Sequence, residues 1–123
     1  MSNIQGKWTN QNGSTVEFDE SNDGQLTGVY RSRKGRSAAG KDYALRGQRN
    51  GEIVSFQVNW QDADHNLASM TSFSGRLVIE PNGQATIHTV WVLARQFEDE
   101  QQTKPTAAWN AFMTNADVFR RDT

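Results

Sequence analysis

The sequence predicts an all-β fold, either a barrel or a sandwich, built from eight short strands. Two observations support this prediction: polar turn segments recur at regular intervals, and the stretches between them alternate between apolar and polar residues. The turn segments span residues 10–13, 21–24, 33–41, 48–51, 61–66, 81–83 and 98–105. Several contain Asn-Gly or Asp-Gly pairs, which favour hairpin turns because both central positions require positive φ.

The predicted strands follow one another without a linker or an internal repeat. They begin near Gly6, Ser14, Leu26, Tyr43, Ile53, Ser69, Gln84 and Ala111. None of them carries a sustained apolar stripe of helical spacing, although residues 106–113 are compatible with a helical turn. We therefore interpret residues 1–123 as a single domain.

Alternation assigns the faces of four strands, because successive side chains of a strand point to opposite sides. The residues that share a face are Leu26, Gly28, Tyr30 and Ser32 on the third strand, Val54, Phe56, Val58 and Trp60 on the fifth, Ser69, Thr71, Phe73, Gly75, Leu77 and Ile79 on the sixth, and Ile87, Thr89, Trp91 and Leu93 on the seventh. Each of these faces predicts one wall of the interior.

These interior faces combine large aromatic residues with small polar residues near one end of the strand. A solid core disfavours hydroxyls such as those of Ser32, Ser69 and Thr71, because an unpaired buried hydroxyl costs about 1–3 kcal/mol. A cavity with aromatic walls and converging polar groups explains the pattern better. An eight-stranded barrel is about wide enough to hold one small ligand, so the pattern favours the barrel.

The opposite face of the seventh strand is apolar as well. Val90 and Val92 point outward there, and Val118 is predicted to do so on the eighth strand. Consecutive outward apolar residues indicate a subunit contact, although scattered surface valines would give the same pattern.

Composition excludes several classes of function. The 123 residues include 13 Lys and Arg against 14 Asp and Glu, a net charge of −1, which argues against a nucleic-acid-binding protein. The chain has no cysteine, so disulfides and thiolate metal sites are excluded. No apolar run is long enough to span a membrane, and the amino terminus lacks the basic region and apolar core of a signal peptide.

The sequence offers little support for catalysis or for a metal or cofactor site. Residues 35–42 approach a phosphate-binding loop, but Asp42 stands where the motif needs a hydroxyl, and a strand follows where it needs a helix. The two histidines, His65 and His88, lie on different segments and are interpreted as surface residues. No Gly-x-Ser-x-Gly turn is present, so we do not expect an enzyme.

An ordered series of short motifs covers nearly the whole chain. Residues 6–14 read Gly-Lys-Trp-Thr-Asn-Gln-Asn-Gly-Ser, and residues 26–32 read Leu-Thr-Gly-Val-Tyr-Arg-Ser. The series continues with residues 56–60, 69–75 and 89–93, and it ends with Trp109 and residues 115–119. These segments resemble, in the same order, the motifs of the avidin and streptavidin family.

The resemblance implies an eight-stranded antiparallel up-and-down barrel that holds one biotin at its open end and needs no cofactor. It implies that Asn10, Ser14 and Tyr30 donate hydrogen bonds to the ureido oxygen of biotin, and that Ser32 and Asp117 accept from its two ureido N–H groups. It assigns Thr71 to the thioether sulfur and Ser69 to the valerate carboxylate, with Trp60, Phe73 and Trp91 around the ring and Leu93 on the same face. Ser37, Ala38 and Ala39 are the loop candidates for a further carboxylate contact.

Trp109 is the residue that indicates how many subunits the protein contains. In tetrameric members of the family, the matching tryptophan crosses an interface and covers the biotin of a neighbouring subunit. The resemblance therefore favours a homotetramer over a dimer, and the alternative is a tryptophan buried within its own chain. It also implies high affinity, sequestration of free biotin, and a secreted or periplasmic protein. The rival interpretations are a carrier of the same barrel type with a different small ligand, and an inhibitor or structural module that keeps only the barrel.

Overall fold

The computed structural model describes residues 3–33 and 40–122, which form a closed antiparallel barrel as the sequence predicts. The strands are β1 (Gly6–Asn10), β2 (Thr15–Glu20), β3 (Gln25–Arg31), β4 (Asp42–Asn50), β5 (Ile53–Gln61), β6 (Asn66–Ile79), β7 (Ala85–Arg95) and β8 (Phe112–Arg121). Each strand pairs with its neighbours in sequence, and β8 closes the barrel against β1. No helix in the described parts of the chain is long and apolar enough to cross a bilayer.

The predicted alternation is confirmed in the strand walls. On β5 every second residue is buried, and the residues between them are exposed. On β3 the buried positions are Leu26 and Tyr30, with Gly28 between them. A Cβ atom at Gly28 would lie only 1.8 Å from the carbonyl oxygen of Glu17, so the close pairing of β2 with β3 requires glycine here.

The two ends of the barrel differ. Odd-numbered strands run towards one end, which we call the mouth, where β3 ends, β4 begins and the connections 11–14, 62–65 and 96–111 lie. The opposite end, which we call the floor, has the connections 21–24, 51–52 and 80–84. The longest connection, 96–111, therefore lies at the mouth, where loops can contribute to a site.

The floor half of the barrel is filled by side chains. Trp8 is fully buried, and its indole N–H donates to the carbonyl oxygen of Ile4 at 3.0 Å. The guanidinium carbon of Arg121 lies 4.3 Å from the centre of the Trp8 ring. Phe18 and Ile87 complete this apolar packing with exposures of 1% and 0%. Space for a ligand is therefore expected in the mouth half.

One expectation from the sequence is wrong. Ile79 is 54% exposed although the alternation placed it inside, because the end of β6 pairs only with β7, through Ala85, and projects past the barrel floor. Residues 106–113, which the sequence left compatible with a helical turn, contain a single turn in which the amide of Asn110 donates to the carbonyl oxygen of Ala107 at 3.2 Å. The strand β8 then begins at Phe112.

Candidate functional site

Five of the polar residues that the sequence singled out are buried in the mouth half of the barrel. Asn10 ends β1, Ser14 precedes β2, Tyr30 lies on β3, Ser32 follows β3, and Asp117 lies on β8. Their exposed fractions are between 3% and 8%. Buried polar groups are normally hydrogen-bonded, so a cluster of this kind must be satisfied within the protein or by a ligand.

The Asn10 side chain is held by the turn that follows it. Its carbonyl oxygen Oδ1 accepts from the backbone amides of Asn12 at 3.0 Å and Ser14 at 2.9 Å. This Asx-type turn fixes the orientation of the amide. The amide nitrogen Nδ2 donates to Oδ2 of Asp117 at 3.2 Å, which uses one of its two N–H donors.

Asp117 is held from several sides. Nε2 of Gln11 donates to its Oδ1 atom at 2.9 Å, while Oε1 of Gln11 accepts from the backbone amide of Val118 at 2.9 Å. The hydroxyl of Thr89 donates to the backbone oxygen of Asp117 at 2.9 Å. The sequence analysis did not single out Gln11, because an exposed turn residue 106 positions away gives no local signal of this contact.

Tyr30 is a neutral donor in this cluster. Burial is the largest cause that raises the pKa of its phenol well above the ordinary value of 10.0, and the negative charge of Asp117 raises it further. A hydrogen bond with Ser14 opposes this shift. The Ser14 hydroxyl oxygen also accepts from the backbone amide of Arg33 at 2.9 Å. Because each hydroxyl has a single O–H group, both can donate to a ligand acceptor only when that acceptor replaces the hydrogen bond between Ser14 and Tyr30.

A hydrogen bond from Trp60 connects the aromatic residues of the site to its polar residues. Its indole N–H donates to Oγ1 of Thr71 at 2.8 Å, and both side chains are buried. The Trp60 ring stands nearly perpendicular to that of Tyr30, with ring centres 5.6 Å apart. Because the Thr71 oxygen accepts from the indole, its own O–H group remains available as a donor.

Tyr43 is a wall residue that the sequence analysis missed. It faces inward on β4 opposite Tyr30, and its ring centre lies 5.1 Å from that of Trp60. Its hydroxyl is buried without a hydrogen-bond partner among the described residues. Burial raises the pKa of this phenol, and the charge of Asp62 raises it further. On β4 the buried residues Tyr43 and Leu45 alternate with exposed residues, and this pattern could have identified Tyr43 as inward-facing.

Phe73, Trp91 and Leu93 continue the inner wall. Phe73 stacks on Phe56 with ring centres 4.5 Å apart and also lies 5.6 Å from Tyr30, so it packs between the polar cluster and the apolar core. Trp91 is its register partner on β7, and the Trp91 indole N–H is buried with no partner in the described structure. Leu93 follows Trp91 on the inward face of β7, nearer the mouth. It is half-buried and packs against the core.

Ser69 lies at the mouth on β6, half-buried and opposite Arg95 of β7. The strand bulges beside it: Ala68 has a φ of 51°, and the pairing with β5 shifts register between Asn59 and Gln61. Beyond this bulge β6 extends back to Asn66, which pairs with Gln61, so the strand begins earlier than the sequence predicted. The candidate loop residues Ser37, Ala38 and Ala39 lie outside the described residues.

The structure does not bring Trp109 together with the other predicted site residues. Its side chain is 85% exposed on the connection between β7 and β8. The alternative prediction, burial within its own chain, is therefore wrong. Val90 and Val92 are also exposed, at 57% and 43%, on the outer face of β7.

The chemistry of the inner wall suits an uncharged polar group held between aromatic rings. Donors from Asn10, Ser14 and Tyr30 lie beside the acceptor Asp117. Within residues 3–33 and 40–122, no group of three or more His, Cys, Asp or Glu side chains is placed to hold a metal ion. His65 and His88 are both exposed.

Comparison with known proteins agrees with this architecture. The profile of the avidin family matches residues 1–122. Avidin of Gallus gallus is 29% identical over 126 aligned positions, which cover 96% of this chain and 77% of avidin. Afifavidin of Afifella pfennigii is 32% identical over 94 positions, which cover 76% of this chain and 58% of afifavidin. The rhizavidin–biotin complex superposes with a TM-score of 0.83 at 27% identity, covering 99% of this chain and 98% of rhizavidin. The chain belongs to the avidin family.

Proposed function

We propose that this protein binds biotin in the mouth of the barrel, with high affinity and without catalysis. The observation that carries the proposal is the buried polar cluster in which donors from Asn10, Ser14 and Tyr30 lie beside the carboxylate of Asp117. A ureido group has one acceptor oxygen and two N–H donors, so it complements this arrangement. The solved complex of the related rhizavidin with biotin supports the same ligand class.

In this proposal the ureido oxygen lies among the donors of Asn10, Ser14 and Tyr30. Asn10 is held by its turn, the Ser14 oxygen is held by the backbone amide of Arg33, and Tyr30 stays protonated and so keeps its donor. Donors held in place before binding stabilise the polarised ureido oxygen without reorganisation. Asp117 and Ser32 accept from the ureido N–H groups, and the bond to the carboxylate is charge-assisted.

The rest of the ligand would lie along the aromatic wall towards the mouth. Thr71 would donate its free hydroxyl hydrogen towards the thioether sulfur, and Ser69 would contact the valerate carboxylate. The rings would be those of Trp60, Phe73 and Trp91, with Leu93 beside them. Residues 37–39 stay candidates for a further carboxylate contact.

High affinity would follow from low ordering cost. A closed barrel immobilises few groups on binding, and the aromatic wall removes water from every polar contact. Retention of a ligand in this way fits a role in sequestering free biotin, and secretion or periplasmic export fits the same role.

We further propose that the assembled protein is a homotetramer. The exposed Trp109, Val90 and Val92 present apolar surface that a neighbouring subunit would cover. Trp109 would then cover the biotin bound to that neighbour. Size-exclusion chromatography with light scattering tests this directly, since a monomer or dimer mass would contradict it.

The central test is thermal unfolding with and without biotin. A ligand that binds only the folded state raises stability by RT ln(1 + [L]/Kd), which is about 2.7 kcal/mol when the ligand is at 100 times its Kd. We expect a large upward shift in Tm with biotin and none with a fatty acid. No shift at millimolar biotin would overturn the proposal. A shift with the fatty acid alone would favour the carrier of a different ligand.

A further inference from the structure

Arg95 lies on an inward strand face at the mouth of the barrel, whereas the inward arginines Arg49 and Arg121 lie at the floor. It is the last residue of β7, on the same face as Trp91 and Leu93, and its register partner on β6 is Ser69. Register partners on one face of an antiparallel pair have neighbouring side chains. Arg95 therefore lies beside the residue that we assign to the carboxylate of the ligand.

The guanidinium of Arg95 is poorly satisfied within the chain. Its Nε atom is buried and has no hydrogen-bond partner among the described residues. One terminal nitrogen donates to the backbone oxygen of Asn110, but at 3.4 Å this is a long hydrogen bond. A buried guanidinium donor without a partner is unfavourable unless a ligand supplies an acceptor.

No carboxylate of the described structure neutralises this charge. The ion pairs formed between described residues do not include Arg95. Glu98 lies on the same connection, but its carboxylate accepts from Nδ2 of Asn110 at 2.8 Å. Asp117, the buried carboxylate of the inner wall, pairs in register with Thr89, six residues deeper along β7, and is engaged by Asn10 and Gln11.

We propose that Arg95 binds the carboxylate of the ligand, so that this protein selects the free acid of biotin over neutral esters and amides. The proposal rests on the proposed function, because it assumes biotin in the mouth. Guanidinium groups present paired N–H donors that match a carboxylate and form charge-assisted hydrogen bonds with it. The acidic tail of the ligand supplies the missing acceptor for Nε and the missing counter-charge.

The test compares biotin with biotin methyl ester as competitors against a fluorescent biotin amide. The wild-type protein is expected to bind the free acid at least about tenfold more tightly than the ester, the size expected of one hydrogen bond to a charged group. Arg95→Gln is expected to weaken binding of biotin at least about tenfold and to change binding of the ester less than about twofold. Arg95→Lys should keep part of the preference for the acid.

Arg46→Gln is the matched control, because Arg46 is an exposed arginine on the outer face of β4. It should leave both affinities unchanged. The role of Arg95 would be overturned if the wild type bound the acid and the ester equally. It would also be overturned if Arg95→Gln and Arg95→Lys weakened binding of both forms equally. Either result would leave biotin binding intact. Failure of the wild type to bind either form would overturn the proposed function and this inference with it.

Discussion

The amide nitrogen of Asn10 donates to the carboxylate of Asp117 across 3.2 Å, although 107 positions separate the two residues in sequence. They meet because β1 and β8 are the strands that close the barrel, with Asn10 opposite Phe119. The first and the last strands therefore build the polar cluster together. Any change that opens the seam between β1 and β8 is expected to remove the site as well.

Replacement of Asp117 tests the polar cluster. Asp117→Ala is expected to weaken biotin binding by about 2–3 kcal/mol, because it leaves a ureido N–H group without an acceptor. Competition binding measures the change. Asp19→Ala, at an exposed carboxylate on β2, is the control and should bind as the wild type does. An unchanged affinity in Asp117→Ala would contradict the assignment.

Replacement of Trp109 tests the proposed cover over a neighbouring site. Because the side chain is 85% exposed in the single chain, Trp109→Ala should leave folding of that chain intact. The release rate of biotin should rise about tenfold or more, the effect expected from the loss of one buried aromatic contact, while the association rate stays the same. Stopped-flow measurement separates the two rates. Ile79→Ala, exposed at the floor, is the control, and equal release rates in the two variants would argue against the cover.

The hydrogen bond between Trp60 and Thr71 is expected to stabilise the fold even without ligand. Thr71→Val keeps the shape of the side chain but leaves the buried indole N–H without its acceptor at 2.8 Å. The free energy of unfolding should fall by about 1–3 kcal/mol, as measured by urea denaturation. Ser72→Ala alters the exposed neighbour on the outer face and should change stability little. Equal stability of the two variants would contradict this role.

Stability should fall at alkaline pH because of Tyr30. The pKa of its phenol is raised in the folded state, so above pH 10 the unfolded chain releases a proton that the folded chain keeps. The contribution of Tyr30 is fully present below pH 10. It is lost above that pH with a limiting slope of about 1.4 kcal/mol per pH unit.

Urea denaturation from pH 8 to pH 11 measures this slope. Tyr43 adds a loss of the same sign, since the pKa of its phenol is raised as well. The comparison is therefore between the wild type and Tyr30→Phe, which should lose less stability across this range. Parallel pH profiles of the two proteins would contradict the role of Tyr30.

Much of the fold could be predicted from local patterns. The alternation on β5 predicted which residues face inward, and turn pairs such as Asn50-Gly51 predicted where strands end. These predictions succeed because the period of a strand and the φ preference of a turn are properties of adjacent residues. The error at Ile79 arose where burial depends on the length of the neighbouring strand.

The sequence by itself determined the strands, their inward faces and the polar residues of the candidate site. Only the tertiary structure decided how these residues contact one another: Gln11 against Asp117, Arg95 beside Ser69, and Trp109 out in solvent. The physical reason is that such contacts depend on the register between strands and on closure of the barrel. Both are set by the packing of the whole chain, so neither leaves a signal in any short stretch of residues.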